Sequence, residues 1–258
     1  MTAGAARAWR VTGTLLVVLV VLGAGLQTWS VLAQQQSTAD WSYDGPVHRL
    51  RLETGNASVK VRAGRADHVV VHQQLDWMVR EPVVSTVPDG DLLTVGLHCR
   101  PVLPVADFGC GAEIEVDVPA ATEVSGSVGS GSVELTGLSG NVDLGLTSGV
   151  LLLVDTSGDV SARATSGLIQ GTKLSARRVD VRIASGSVEL DFARAPQAVE
   201  TRATSGSVTM TLPRGSRYAF SSDIGSGNGR IDPQLADPDS PNRIHATATS
   251  GSVTIGPS

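Results

Sequence analysis

Aromatic residues are scarce in this chain, at 3% of its 258 residues. A core built without them has to be aliphatic and thin, which excludes a bulky globular interior. Lysine is nearly missing: Lys60 and Lys173 are the only two, against 18 arginines. That skew reads as coding bias and points to no activity. Cysteine is limited to Cys99 and Cys110. No 3.6-residue apolar period occurs between residues 45 and 258, which excludes a helical bundle. The nucleophile elbow Gly-x-Ser-x-Gly is absent despite the wealth of Ser and Gly. An excess of positive charge is lacking as well. Beyond residue 33 the chain has 18 basic and 25 acidic side chains, which argues against nucleic acid as a partner.

What is abundant is Ser-Gly-x followed by a branched apolar residue. It reads Ser130-Gly131-Ser132-Val133, Ser139-Gly140-Asn141-Val142, Ser148-Gly149-Val150-Leu151, Ser157-Gly158-Asp159-Val160 and Ser166-Gly167-Leu168-Ile169. It returns at Ser185-Gly186, Ser205-Gly206 and Ser250-Gly251, and more weakly at Ser226-Gly227-Asn228. The first five copies are 9 residues apart. A fixed period of this kind marks a repeat architecture. Glycine supplies the turn, serine bonds its own backbone, and strict alternation follows, as in Val188-Glu189-Leu190. Two such units make one coil. The chain is therefore expected to be all-β, a solenoid of roughly 18–20-residue coils with stacked aliphatic columns inside.

A second signal lies at the start. Residues 11–33 are free of charge and long enough to span a ~30 Å bilayer core. Arg7 and Arg10 precede them, and no further Lys or Arg occurs until Arg49. The positive-inside rule then puts residues 1–10 in the cytoplasm and the body of the chain outside. A signal peptide cleaved near Ala33, giving a secreted product, is the competing reading. Residues 34–45 read as a polar linker. Residues 46–120 read as an irregular strand section, with strands at 48–53, 58–63, 68–75, 82–87, 92–98 and 113–118 and a hairpin turn at Pro88-Asp89-Gly90-Asp91. Thr54-Gly55-Asn56-Ala57-Ser58-Val59 is a degenerate copy of the repeat. Residues 121–258 read as the regular coils, with residues 231–245 an inserted loop.

The order of these parts resembles the bacterial toast-rack, or "putative adhesin", β-repeat family. The features that carry the likeness are the strand section, Val116-Asp117-Val118-Pro119, the Ser-Gly-x-Val coils and a terminal Ala248-Thr249-Ser250-Gly251-Ser252-Val253. The resemblance spans roughly residues 46–256. It implies a right-handed, single-stranded β-helix-like fold at the cell envelope, here preceded by one transmembrane helix. It brings no catalytic or binding residues.

The chemistry-bearing residues are few. Cys99 and Cys110 could close a disulfide loop in an oxidising compartment, remain free thiols, or, with His98, make a poorly ordered metal set. The recurrent acids Glu134, Asp143, Asp159 and Glu189 alternate with apolar residues and read as a solvated face. His68 and His72 share a strand face but lie ~13 Å apart, too far for one metal. The corners lack the aspartates of a calcium β-roll. Asn56-Ala57-Ser58 is a formal glycosylation sequon. No catalytic residue, cofactor or metal is expected. The partner would be an envelope protein, a glycan or the membrane surface. Three functions remain open: an adhesin-like interaction module, the ectodomain of an envelope-stress sensor, and a carbohydrate-active β-helix enzyme.

Overall fold

The computed structural model describes residues 35–65, 68–77, 81–99 and 111–258. The expected membrane segment 11–33 and Cys110 lie outside them. Thirteen strands in one sheet account for almost all the described residues: β1 (Gln35–Tyr43), β2 (Arg49–Ala63), β3 (Val69–Trp77), β4 (Val83–Asp89), β5 (Leu92–His98), β6 (Gly111–Val118), β7 (Glu123–Thr136), β8 (Val142–Val154), β9 (Val160–Leu174), β10 (Arg178–Phe192), β11 (Ala198–Leu212), β12 (Ala219–Ile231) and β13 (Arg243–Pro257). A single 3-10 turn, Pro233–Leu235, is the one helical element among them.

Each strand from β7 onward is one rung, in two arms that meet at a Ser-Gly corner. In β10, Val179, Val181 and Ile183 point inward on the first arm, and Val188, Leu190 and Phe192 on the second. Rungs pair in parallel with identical residues opposed, for example Ser185, Gly186 and Ser187 of β10 against Ser205, Gly206 and Ser207 of β11. Stacking in register makes columns. Val59, Val133, Leu151, Ile169, Val188, Val208 and Val253 form one, each at most 1% exposed. Only Tyr218 and Phe192 bring aromatic rings to the fully buried core among the described residues.

The corner requires glycine. Gly131, Gly149, Gly167, Gly186, Gly206, Gly251 and Gly227 have φ between +125° and +151°. A Cβ on any of them would lie 1.7–2.1 Å from the carbonyl oxygen of the same position in the preceding rung. Ala57 opens this ladder in β2, and alanine is tolerated there for a topological reason. β5 pairs β2 only up to Thr54 and β6 only from Ser58, so no rung stands in front of residue 57. The 9-residue period has its own explanation. Gly140 and Gly158 stack at the return turns, where Cβ atoms would meet the carbonyls of Thr122 and Gly140. Later turns place buried Ala176 and Pro196 there instead, and the 9-residue spacing fades.

One expectation changes. Residues 35–43 are not a linker: they form β1, antiparallel to β3 from Gln35↔Trp77 to Tyr43↔Val69. The chain's last rung is not the end of the stack. β13 lies between β11 and β12, so β12 carries the free edge. The corner glycines agree, because Gly251 sits on the carbonyl of Gly206, and Gly227 on that of Gly251. Composition explains the exchange. β12 has Ser222 and Gly229 at positions where β13 has Ala246 and Val253, and both are exposed. A rung whose inner columns are broken in this way belongs at the terminus of a solenoid, where Phe220, Ile224 and Ile231 still pack against the core. The inserted segment is an ordered connection: Tyr218 N–H donates to Leu235 O at 2.9 Å, and Asp237 N–H to Tyr218 O at 2.9 Å.

Gly186→Ala should lower unfolding stability by about 2–5 kcal/mol, from left-handed strain plus overpacking. Gly55→Ala, with nothing within 4 Å of the new methyl, should stay within about 0.5 kcal/mol of wild type. Denaturant titration of both variants measures the difference.

Candidate functional site: a charged ladder beside a threonine ladder

The register that aligns the core also aligns the outer face. On the first arms of β9, β10 and β11, Arg163, Arg182 and Arg202 stand opposite one another on successive rungs. Two residues earlier in each rung lies a mostly acidic column: Asp143, Ser161, Asp180 and Glu200. Two residues later stand Thr147, Thr165, Ala184 and Thr204. Between the arginines and the threonines runs a groove of about 620 Å³, floored by the backbone of Leu146, Ala164 and Ile183, whose side chains point into the core.

Like charges stacked on neighbouring strands repel one another, and here carboxylates offset that. Arg182 donates to Asp180 at 2.8 Å, Arg202 donates to Glu200, and Arg163 reaches across to Asp143 at 3.4 Å. The pairs are about half exposed, so each contributes little to stability. Their effect is to hold flat guanidinium groups along one wall. Arg182 Nε and Asp180 Oδ1 are shielded from solvent and make no hydrogen bond. The groove thus combines a backbone floor, a hydroxyl wall and a wall of planar donors. That combination suits a ligand with oxygen acceptors. It offers no positioned nucleophile.

The acids singled out from the sequence fall into two groups. Glu134 and Glu189 lie on the outer face of second arms, three rungs apart (~14 Å). That exceeds the roughly 5–10 Å of a glycosidase pair. Asp143 lies on the first arm of β8 and Asp159 in the turn before β9, and both line a second groove with Asp180 and Glu200. Glu134 accepts from Thr136 at 3.4 Å, and Glu189 from Gln170 at 3.5 Å. Among the described residues no group of three His, Cys, Asp or Glu side chains is placed to hold a metal. His68 and His72 each face an aspartate: His68 Nδ1 is 2.6 Å from Asp44, and His72 Nδ1 is 2.8 Å from Asp40. Cys99 packs partly buried against the core. The arginine ladder escaped the sequence reading, although Arg163, Arg182 and Arg202 are spaced 19 and 20 residues apart, as the coils are.

Residues 158–256 match the family model Toastrack DUF4097. The matched stretch holds all three ladder arginines. Among solved structures the chain is similar to a "putative adhesin" of Parabacteroides merdae, at 15% identity and TM-score 0.48, covering 84% of this chain and 96% of that one. It is also similar to a "putative cell adhesion protein" of Clostridium sporogenes, at 14% identity and TM-score 0.45, covering 87% and 100%. No curated protein sequence matches the chain.

Outside the Toastrack match, the His72–Asp40 contact ties β1 to β3. The hydrogen bond to Asp40 raises the His72 pKa above its ordinary 6.5, with smaller help from the charges of Asp40, Asp117 and Glu115 against some desolvation. The folded state therefore holds this proton more tightly than the unfolded chain. The stability it adds is full below ~6.5 and is lost as pH rises through the higher folded value. Amide protection in β1, corrected for intrinsic exchange, should fall as pH rises above about 6.5. In His72→Gln the same profile should be flat.

Proposed function

We propose that this chain is a non-enzymatic interaction module of the bacterial cell envelope. Residues 11–33 anchor it, residues 1–10 stay in the cytoplasm and the β-repeat domain lies outside. The coils wind right-handed, as parallel crossovers nearly always do. The ligand is an extended acidic glycan, held along the groove between Arg163, Arg182 and Arg202 and the threonine column. That groove is the observation that carries the reading. Its donors repeat once per rung, at ~4.8 Å, a step comparable to one sugar ring. Its arginines can bind carboxylates in a fork. The separation of Glu134 from Glu189 by three rungs supports binding without turnover. The adhesin-like character of the module rests on this groove.

Polygalacturonate serves as a probe. The full-length protein in detergent should be retained on it, and less so as salt rises. Arg182→Ala should weaken retention about tenfold, the size of one lost charge-assisted hydrogen bond. The triple variant R163A/R182A/R202A should abolish it. Equal retention of wild type and triple variant would refute the groove as the site.

We also propose that Cys99 pairs with Cys110, as an extracytoplasmic location permits. The non-reduced protein should then be lighter than the reduced one by two hydrogen atoms in an intact mass spectrum. Equal masses would show two free thiols.

A further inference from the structure

The stack has two unlike ends. At one lies β12. At the other, β2 divides its partners: its first arm pairs β5, which pairs β4, while its second arm pairs β6, followed by β3 and β1. β1 and β4 are thus the two free edges of the same end. β4 presents an outward row of Val83, Ser85 and Val87, and its other face packs Val84 on the core. Val83 and Val87 are 50% and 54% exposed, and they are the only large hydrophobic side chains so exposed among the described residues. No charge interrupts the strand between residues 83 and 88.

The place where the chain enters this end decides what covers it. The apolar stretch ends at Ala33 and β1 begins at Gln35, so one residue separates them. At no more than ~3.6 Å per residue, the first rung position lies within ~7 Å of the end of that stretch. Gln35 is opposed to half-buried Trp77, an aromatic of the kind that sits at membrane interfaces. A twelve-residue linker would have let the domain swing free. A strand beginning at residue 35 does not.

We propose that the β1–β4 end of the domain rests on the lipid surface, with Val83 and Val87 of β4 in the headgroup layer. The inference rests on the anchor reading given above. Two valines form too small a patch to bind a membrane alone. Tethering makes the contact intramolecular, and a high effective concentration lets a weak contact persist. The stack then stands away from the membrane, with β12 at its far end and the arginine groove part-way up. β13 lies six strand steps beyond β2, ~29 Å further out.

The test uses the full-length protein reconstituted into vesicles of phosphatidylethanolamine and phosphatidylglycerol. An environment-sensitive fluorescent amino acid is placed singly at position 83, 87 or 254. All three positions are exposed, so the label leaves the core intact. Lipids with a nitroxide near the headgroup should quench the labels at 83 and 87 several-fold more than the label at 254. Vesicle flotation reports the anchor separately. Protein that floats with equal quenching at all three positions keeps the anchor and overturns the proposal. A label at 83 or 87 that is shielded yet unquenched by lipid, or close to its counterpart in a second copy by energy transfer, also overturns it. Protein that fails to float removes the anchor and, with it, this proposal.

Discussion

One contact determines the architecture: the carbonyl oxygen of each corner residue points at the Cα of the glycine in the next rung. Seven glycines meet it, and none has room for a methyl group. The constraint is stricter than hydrophobic patterning, because a side chain there would collide with backbone that has no freedom to move. It also fixes register. A slip by one residue would put a serine against the carbonyl and turn every valine column outward. Close backbone approach at the corner and aliphatic columns in the arms are therefore two consequences of one alignment.

The same alignment leaves the order of the rungs open, since every coil has the same corner. The inner faces settle it. β13 offers Ile244, Ala246, Ala248, Val253 and Ile255, all buried. β12 offers Ser222 and Gly229 in the matching columns. Placed inside, β12 would bury a hydroxyl and leave a void beside Gly229, each of which destabilises. Placed outside, it caps the stack. The chain reaches this arrangement through the connection from Asp232 to Asn242, which Tyr218 and Leu235 hold from beneath. The link Pro213–Tyr218 between β11 and β12 passes the position that β13 fills, and the connection from Asp232 to Asn242 then steps back by one rung.

The parts of the fold legible in the sequence were those with a repeating physical cause. Alternation gave the arms, Ser-Gly gave the corners, and Asn56-Ala57-Ser58 falls in line with Ser130-Gly131-Ser132 as its spacing suggested. β1 was not legible. Its residues are mostly exposed on both faces, so Gln35-Gln36-Ser37-Thr38 shows no alternation and reads as linker. Its place comes from partners distant in the chain, Val69 to Trp77. The exchange of β12 and β13 was hidden because a period reports resemblance between rungs and not which rungs touch. The arginine column was visible in principle. Arginine was abundant enough to look like bias, and only the coil spacing separates Arg163, Arg182 and Arg202 from the rest.

That column follows from the geometry of the core. Once valines are stacked in register, whatever occupies the outward positions is stacked too, at the strand spacing. A solenoid surface is thus an array, and its chemistry is set by columns and not by single residues. Three guanidinium groups ~4.8 Å apart would repel one another if left alone. The adjoining acids bring the strip close to neutrality. A neutralised strip has weak long-range attraction for anions and retains short-range, directional recognition. It therefore discriminates by the spacing of acceptors and not by total charge. A flexible polyanion would gain little from it, whereas a stiff polymer with one acceptor group per rung could engage every arginine at once.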